Sequence, residues 1–162
     1  MILVGFSINY DAIRQRIKEV SEIDAETVYF VKEVGHECPD CMYDPISESS
    51  MNPFCPTCHG RGFVVTEEKR PILASVQRVT GIENYYQPGG QLPRGSVIIT
   101  VHEGQLTQAG YSLDADWLKA IDWIEIDGQK YIIGEGDNVI PQTLQGEVYE
   151  VIFHLSRLQQ GQ

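Results

Sequence analysis

Four cysteines constrain this chain more than any other feature. They fall in "CPDCMYDPISESSMNPFCPTCHG", residues 38–60, as two C-x-x-C pairs separated by 13 residues. A two-residue spacer lets the chain turn back so that both sulfurs of a pair can reach one ion. Two such turns supply four thiolates, Cys38, Cys41, Cys55 and Cys58, which is a full tetrahedral set for zinc. Pro39 and Pro56 stiffen the turns, and Gly60 and Gly62 leave room for backbone close to sulfur. The expectation is one structural Zn2+ per chain, with no open coordination position for catalysis. His36 and His59 abut the cysteines, but the thiolates already complete the tetrahedron.

The compartment bears on whether those cysteines pair as disulfides. "MILVGFSINYDAIRQ" has a short apolar run with no basic region before it, so it does not read as a signal peptide. No apolar stretch approaches membrane-spanning length. A reducing cytosol is the default, and there paired cysteines favour metal. A redox C-x-x-C would need one pair only and a strand–motif–helix context, which is lacking.

Charge narrows the partners. The net charge is −11, which opposes tight binding to phosphate backbones or an anionic membrane. From Gly35 to Gly62 there are four acids and one base, the reverse of a DNA-reading finger.

Elsewhere the pattern is β. Asn9 or Asp11 can cap a helix over "YDAIRQRIKEVSE", with Ile13, Ile17 and Val20 as the stripe laid on a core. "ETVYFVKEV" reads as a strand into the cysteine loop and "GFVVT" as a strand out of it. "RPILASVQRV" and "GSVIITV" are further strands, and "LDADWLKAI" is a helical turn or two. "DWIEIDGQKYII" places Asp127-Gly128 between apolar runs, a strong hairpin signal. "GEVYEVIFHLSRL" alternates, with Tyr149, Val151, Phe153 and Leu155 on one face. Trp117, Trp123 and Tyr131 read as core aromatics, and His102 and His154 as structural. The fold expected is mainly β, a small barrel or sandwich with one or two short helices and a zinc-ribbon-like hairpin arm. The core comprises 1–34 and 63–162, and the arm is an insertion over 35–62. "ENYYQPGGQLPRG", 83–95, reads as a long functional loop. No phosphate-binding loop, G-x-S-x-G, H-E-x-x-H or spare cysteine suggests an enzyme.

Two regions together resemble the tailed-phage head-closure proteins, also called stoppers or head-to-tail joining proteins. These end in hairpins of the form D-x-I-x-I-D-G-x-x-Y-x-I followed by a long strand, here "DWIEIDGQKYII" and "GEVYEVIFHLSRL". Some similar phage structural proteins carry a loop like "CPDCMYDPISESSMNPFCPTCHGRG". The resemblance implies a non-enzymatic virion protein, assembled in the host cytoplasm. It would form a homo-oligomeric neck ring of six or twelve subunits between portal or adaptor and tail, with DNA only as passing cargo and no membrane partner. Tyr43 and Phe54 on the arm, and Tyr85 and Tyr86 in the long loop, are the expected partner contacts, with Met42, Ile46 and Met51 as further apolar anchors. A second reading is a chaperone-like protein-interaction module, because "CPTCHGRG" also matches the C-x-x-C-x-G-x-G repeat of J-protein chaperones. Those carry four repeats; only the second pair fits here, and no J-domain HPD is present.

Overall fold

The computed structural model describes residues 9–80, 86–87, 90–91, 95–114, 116–133 and 138–158. In chain order the elements are α1 (Tyr10–Ile23), β1 (Ala25–Glu37), β2 (Tyr43–Asp44), β3 (Ser49–Ser50), β4 (Phe63–Arg78), β5 (Tyr86–Gln87), β6 (Gly90–Gln91), β7 (Val97–His102), α2 (Glu103–Gln108), a 3-10 turn (Trp117–Ala120), β8 (Trp123–Ile126), β9 (Gln129–Ile133), β10 (Val139–Leu144) and β11 (Glu147–Arg157). The chain divides into two compact units, Met1–Phe30 with Arg70–Gln162, and Val31–Lys69.

The first unit is a barrel. Its strands run β11-β7-β4-β1-β8-β9, and β9 pairs back onto β11, so six strands close on themselves while β10 lies outside the ring on β11. The length of β11 makes closure possible. One stretch, Glu150–Leu155, pairs with β7, and the end, Leu155–Arg157, pairs with Ile133–Tyr131 of β9. The earlier part, Glu147–Phe153, pairs with β10. Closure leaves the six ring strands without an open edge that would invite pairing with other chains; β10 keeps one partner, β11.

Alternation fills the barrel. Val97, Ile99 and Val101 of β7 and Val151, Phe153 and Leu155 of β11 are buried, while the residues between them are half-buried. Phe30, Tyr111, Trp117 and Phe153 meet edge-on or, for Phe30 with Tyr111, tilted, with centroids 5.5–6.0 Å apart. Such tilted arrangements are the favoured ones for aromatic rings. Of the expected core aromatics, Trp117 and Tyr131 pack against the buried cluster, while Trp123 is buried outside it, with Lys130 Nζ 3.8 Å from its ring centroid.

The hairpin at Asp127-Gly128 forms as expected, with φ of 50° and 72°. Both signs are positive, which is why Asp-Gly suits this two-residue turn. Gln145-Gly146 does the same between β10 and β11, with φ of 55° and 84°, a turn less marked in sequence.

Three expectations change. "GFVVT" and "RPILASVQRV" form one 16-residue strand, β4, rather than two. Pro71 lies inside it; β7 pairs only with Ser75–Arg78, so no β7 carbonyl needs the N–H that proline lacks. A helix unread in the sequence, α2, follows β7 at once, with His102 as its N-cap accepting from the Gly104 N–H through Nδ1 at 3.0 Å. The stripe of α1 does not enter the core: Ile13 is 39% and Val20 56% exposed, and no α1 residue belongs to the buried cluster. The barrel interior is filled by its own strands together with Leu106 of α2, Tyr111 and Trp117, which leaves α1 on the outside. There α1 is held by Arg14, which donates to the Leu144 carbonyl at 3.0 Å and pairs with Glu147 at 2.5 Å. A cavity of about 460 Å3 beside it is lined by Ile17, Val20, Ser75 and Thr100. Asn9, not Asp11, caps this helix, accepting from the Ala12 N–H at 3.1 Å. Among the described residues no helix is long and apolar enough to cross a membrane.

Candidate metal centre

In the second unit β1 and β4 continue as an antiparallel pair. The Thr66 hydroxyl lies 3.4 Å from the Val34 carbonyl, and the Cys38 N–H donates to the Gly62 carbonyl at 3.0 Å. Beyond that pair the chain makes two tight turns, each opened by C-P. Between them β2 and β3 form a minimal hairpin, pairing Tyr43 with Ser50 and Asp44 with Ser49. The turns are stitched at equivalent places: the Thr57 hydroxyl donates to the Asp40 carboxylate, each being the residue just before the second cysteine of its pair.

This places Cys38, Cys41, Cys55 and Cys58 together. Their sulfurs all lie within 4.8 Å of one another. Cys38 and Cys55 are 3.7 Å apart, Cys41 and Cys58 3.4 Å, and all four are free thiols. A tetrahedral site with metal–sulfur bonds of about 2.3 Å has edges of about 3.8 Å, so the cluster fits one ion with small adjustment. Cys38, Cys55 and Cys58 are buried and Cys41 is half-buried, with Val64 packed against the group.

The surroundings are built for thiolate. The Gly62 N–H donates to Cys58 Sγ at 3.2 Å, and the Ser50 hydroxyl reaches Cys41 Sγ at 3.0 Å. Burial raises the Cys58 pKa, but the Gly62 N–H and the neighbouring thiols outweigh it and bring it down to about 6. At Cys41 the Ser50 hydroxyl lowers the pKa, yet burial and the same neighbours together push it up to about 12. Burial likewise raises Cys38. Negative charge therefore settles on Cys58 in preference to Cys38 or Cys41, and a bound cation is what would hold all four as thiolates.

Two glycines make the packing possible. Gly62 has φ +79°, and a Cβ there would stand 2.7 Å from Tyr43 Cδ2 and 3.1 Å from the Ser50 nitrogen. Gly60 has φ +82°, and its Cβ would meet the Pro53 carbonyl oxygen at 2.8 Å. The expected approach of backbone to sulfur is observed at Gly62, whereas Gly60 lies against the Pro53 backbone. His36 bonds Thr66 at 3.0 Å and His59 is exposed; neither belongs to the cluster. Ser50 was not foreseen. It is 7% exposed and also accepts from the Asn52 N–H at 2.9 Å, a role set by its place opposite Tyr43 and invisible in composition.

Of the expected partner contacts, Tyr43 is 36% and Phe54 90% exposed. Tyr85 lies outside the described residues, and Tyr86 is described only as backbone in the β5–β6 pairing. Most of the 83–95 loop is likewise outside them. No protein-family model matches this chain, and no curated protein matches it.

Proposed function

We propose that the chain is a structural virion protein of a tailed-phage neck, a subunit of a ring of six or twelve copies between portal or adaptor and tail. The observation that carries this reading is the placing of a four-cysteine knuckle between neighbouring strands β1 and β4 of a closed barrel that ends in an Asp-Gly hairpin and a long strand. The hairpin and final strand resemble those of head-closure proteins, and the cysteine loop resembles one carried by some similar phage structural proteins. The metal is zinc, one per chain. Four soft thiolates in a closed tetrahedron select it and leave no position for substrate, so its role is to fix the knuckle. The net charge of −11 suits a passage through which DNA moves without adhering.

The experiment is genetic. An amber allele in the phage that encodes this chain gives DNA-filled or DNA-leaking heads and separate, complete tails. Normal tailed particles at normal titre from the amber allele refute the reading.

A further inference from the structure

We propose that the knuckle docks, through Ile46 and Phe54, onto a different protein chain that presents Lys and Arg around an apolar hollow, and not onto a second copy of this chain. The inference goes beyond the neck-ring reading, since it follows from the knuckle's own surface and holds for any assembly this chain joins.

Four large apolar side chains stand in solvent among the 13 residues between Cys41 and Cys55: Ile46 is 93% exposed, Phe54 90%, Met42 75% and Met51 71%. A scattered exposed leucine is ordinary, but this density on so short a segment marks a contact surface. The segment is also held ready. Asp44 Oδ1 accepts from the Ile46 N–H at 3.0 Å, and Asn52 Oδ1 accepts from the Phe54 N–H at 3.1 Å. Each of the two most exposed residues thus sits at the end of a two-residue turn made by an Asp or Asn side chain. Between them the Met51 N–H donates to the Met42 carbonyl at 3.0 Å. Backbone fixed in advance loses less entropy on docking, and aromatic or aliphatic anchors set in a partner's pocket carry most of the affinity.

Charge selects the occupant. Val31–Lys69 holds seven carboxylates against three cations, a net of −4, and four thiolates around a divalent ion would add −2. The remainder of the chain holds 16 carboxylates against nine cations, a net of −7. A second copy would bring acid against acid, which is costly at an interface, whereas a basic face is attracted. Nucleic acid is excluded by the same sign.

The test uses the intact, metal-loaded chain and two labelled synthetic amphipathic helices with one Leu/Phe pattern, one with Lys and one with Glu on the polar face. Fluorescence anisotropy is expected to show binding of the Lys peptide, weakened by salt, and none of the Glu peptide. Ile46→Ser and Phe54→Ser are each expected to weaken Lys-peptide binding at least 10-fold with metal content unchanged. Sedimentation velocity is expected to show the same self-association in both variants as in the parent. Three results overturn the inference: no Lys-peptide binding, binding that either variant retains in full or that the Glu peptide shares, and loss of self-association in the variants.

Discussion

The Gly62 N–H points at Cys58 Sγ from 3.2 Å, and the same glycine leaves the space that the Tyr43 ring occupies. One residue therefore both donates to a sulfur of the candidate metal cluster and lets the β2–β3 hairpin close over it. Gly62→Ala strains a backbone at φ +79° and drives a Cβ to 2.7 Å from Tyr43. Changes to groups that orient ligands typically weaken metal binding about 10–100-fold, and a loss of that size is expected here. A chelator competition titration reads it; unchanged affinity would mean that the knuckle relaxes freely.

Cys55, at 1% exposed, is the most buried of the four cysteines. Cys55→Ser is expected to release the metal and to open residues 38–62 to protease. The barrel core contains none of the cysteines, so its thermal transition should persist. Limited proteolysis with calorimetry checks both, and loss of the barrel transition would show that the two units fold as one.

Arg14 is the tie between α1 and the hairpin that joins β10 to β11, through the Leu144 carbonyl and Glu147. A 14-residue helix is marginal on its own, and this one leaves its apolar stripe largely uncovered. Arg14→Ala removes a hydrogen bond and a partly exposed ion pair, together about 1 kcal/mol. Hydrogen exchange in residues 10–23 should then rise about fivefold or more, while β7 and β11 stay protected. Equal exchange in the variant would place the hold on α1 elsewhere.

Burial lowers the His154 pKa below its ordinary 6.5. The folded state thus favours the neutral ring, and the unfolded chain takes up the proton first. Stability from this group is complete above about pH 6.5 and is lost as pH falls from there through the folded-state value. His154→Gln should flatten the melting temperature between pH 7 and pH 5. A slope that persists unchanged in the variant assigns the effect to other groups.

How much was legible depended on whether a feature was written locally. The four cysteines, the Asp127-Gly128 turn and the alternation at Val151, Phe153 and Leu155 depend on near neighbours in sequence and appear as read, but Tyr149, expected on the same face, does not join the buried cluster: a register shift in the β10–β11 pairing passes over it and Val148 packs there instead. The uncovered stripe of α1 was not legible. Ile13, Ile17 and Val20 have helical spacing, but whether a core accepts them depends on closure of β9 onto β11, more than 100 residues away. The merger of two strands into β4 was hidden by Pro71, which normally breaks a strand and is tolerated because β7 ends short of it. Ser50 reaches Cys41 only because the small hairpin folds it there.

The decisive quantity is the mass and thiol state of the intact chain after gentle purification without added metal. Native mass spectrometry with elemental analysis and a thiol titration is predicted to give one zinc per chain, with Cys38, Cys41, Cys55 and Cys58 unreactive until a chelator is added. A metal-free chain with four freely reactive thiols, or one lighter by the hydrogens lost to disulfides, would contradict the metal centre and the shape of the knuckle that depends on it.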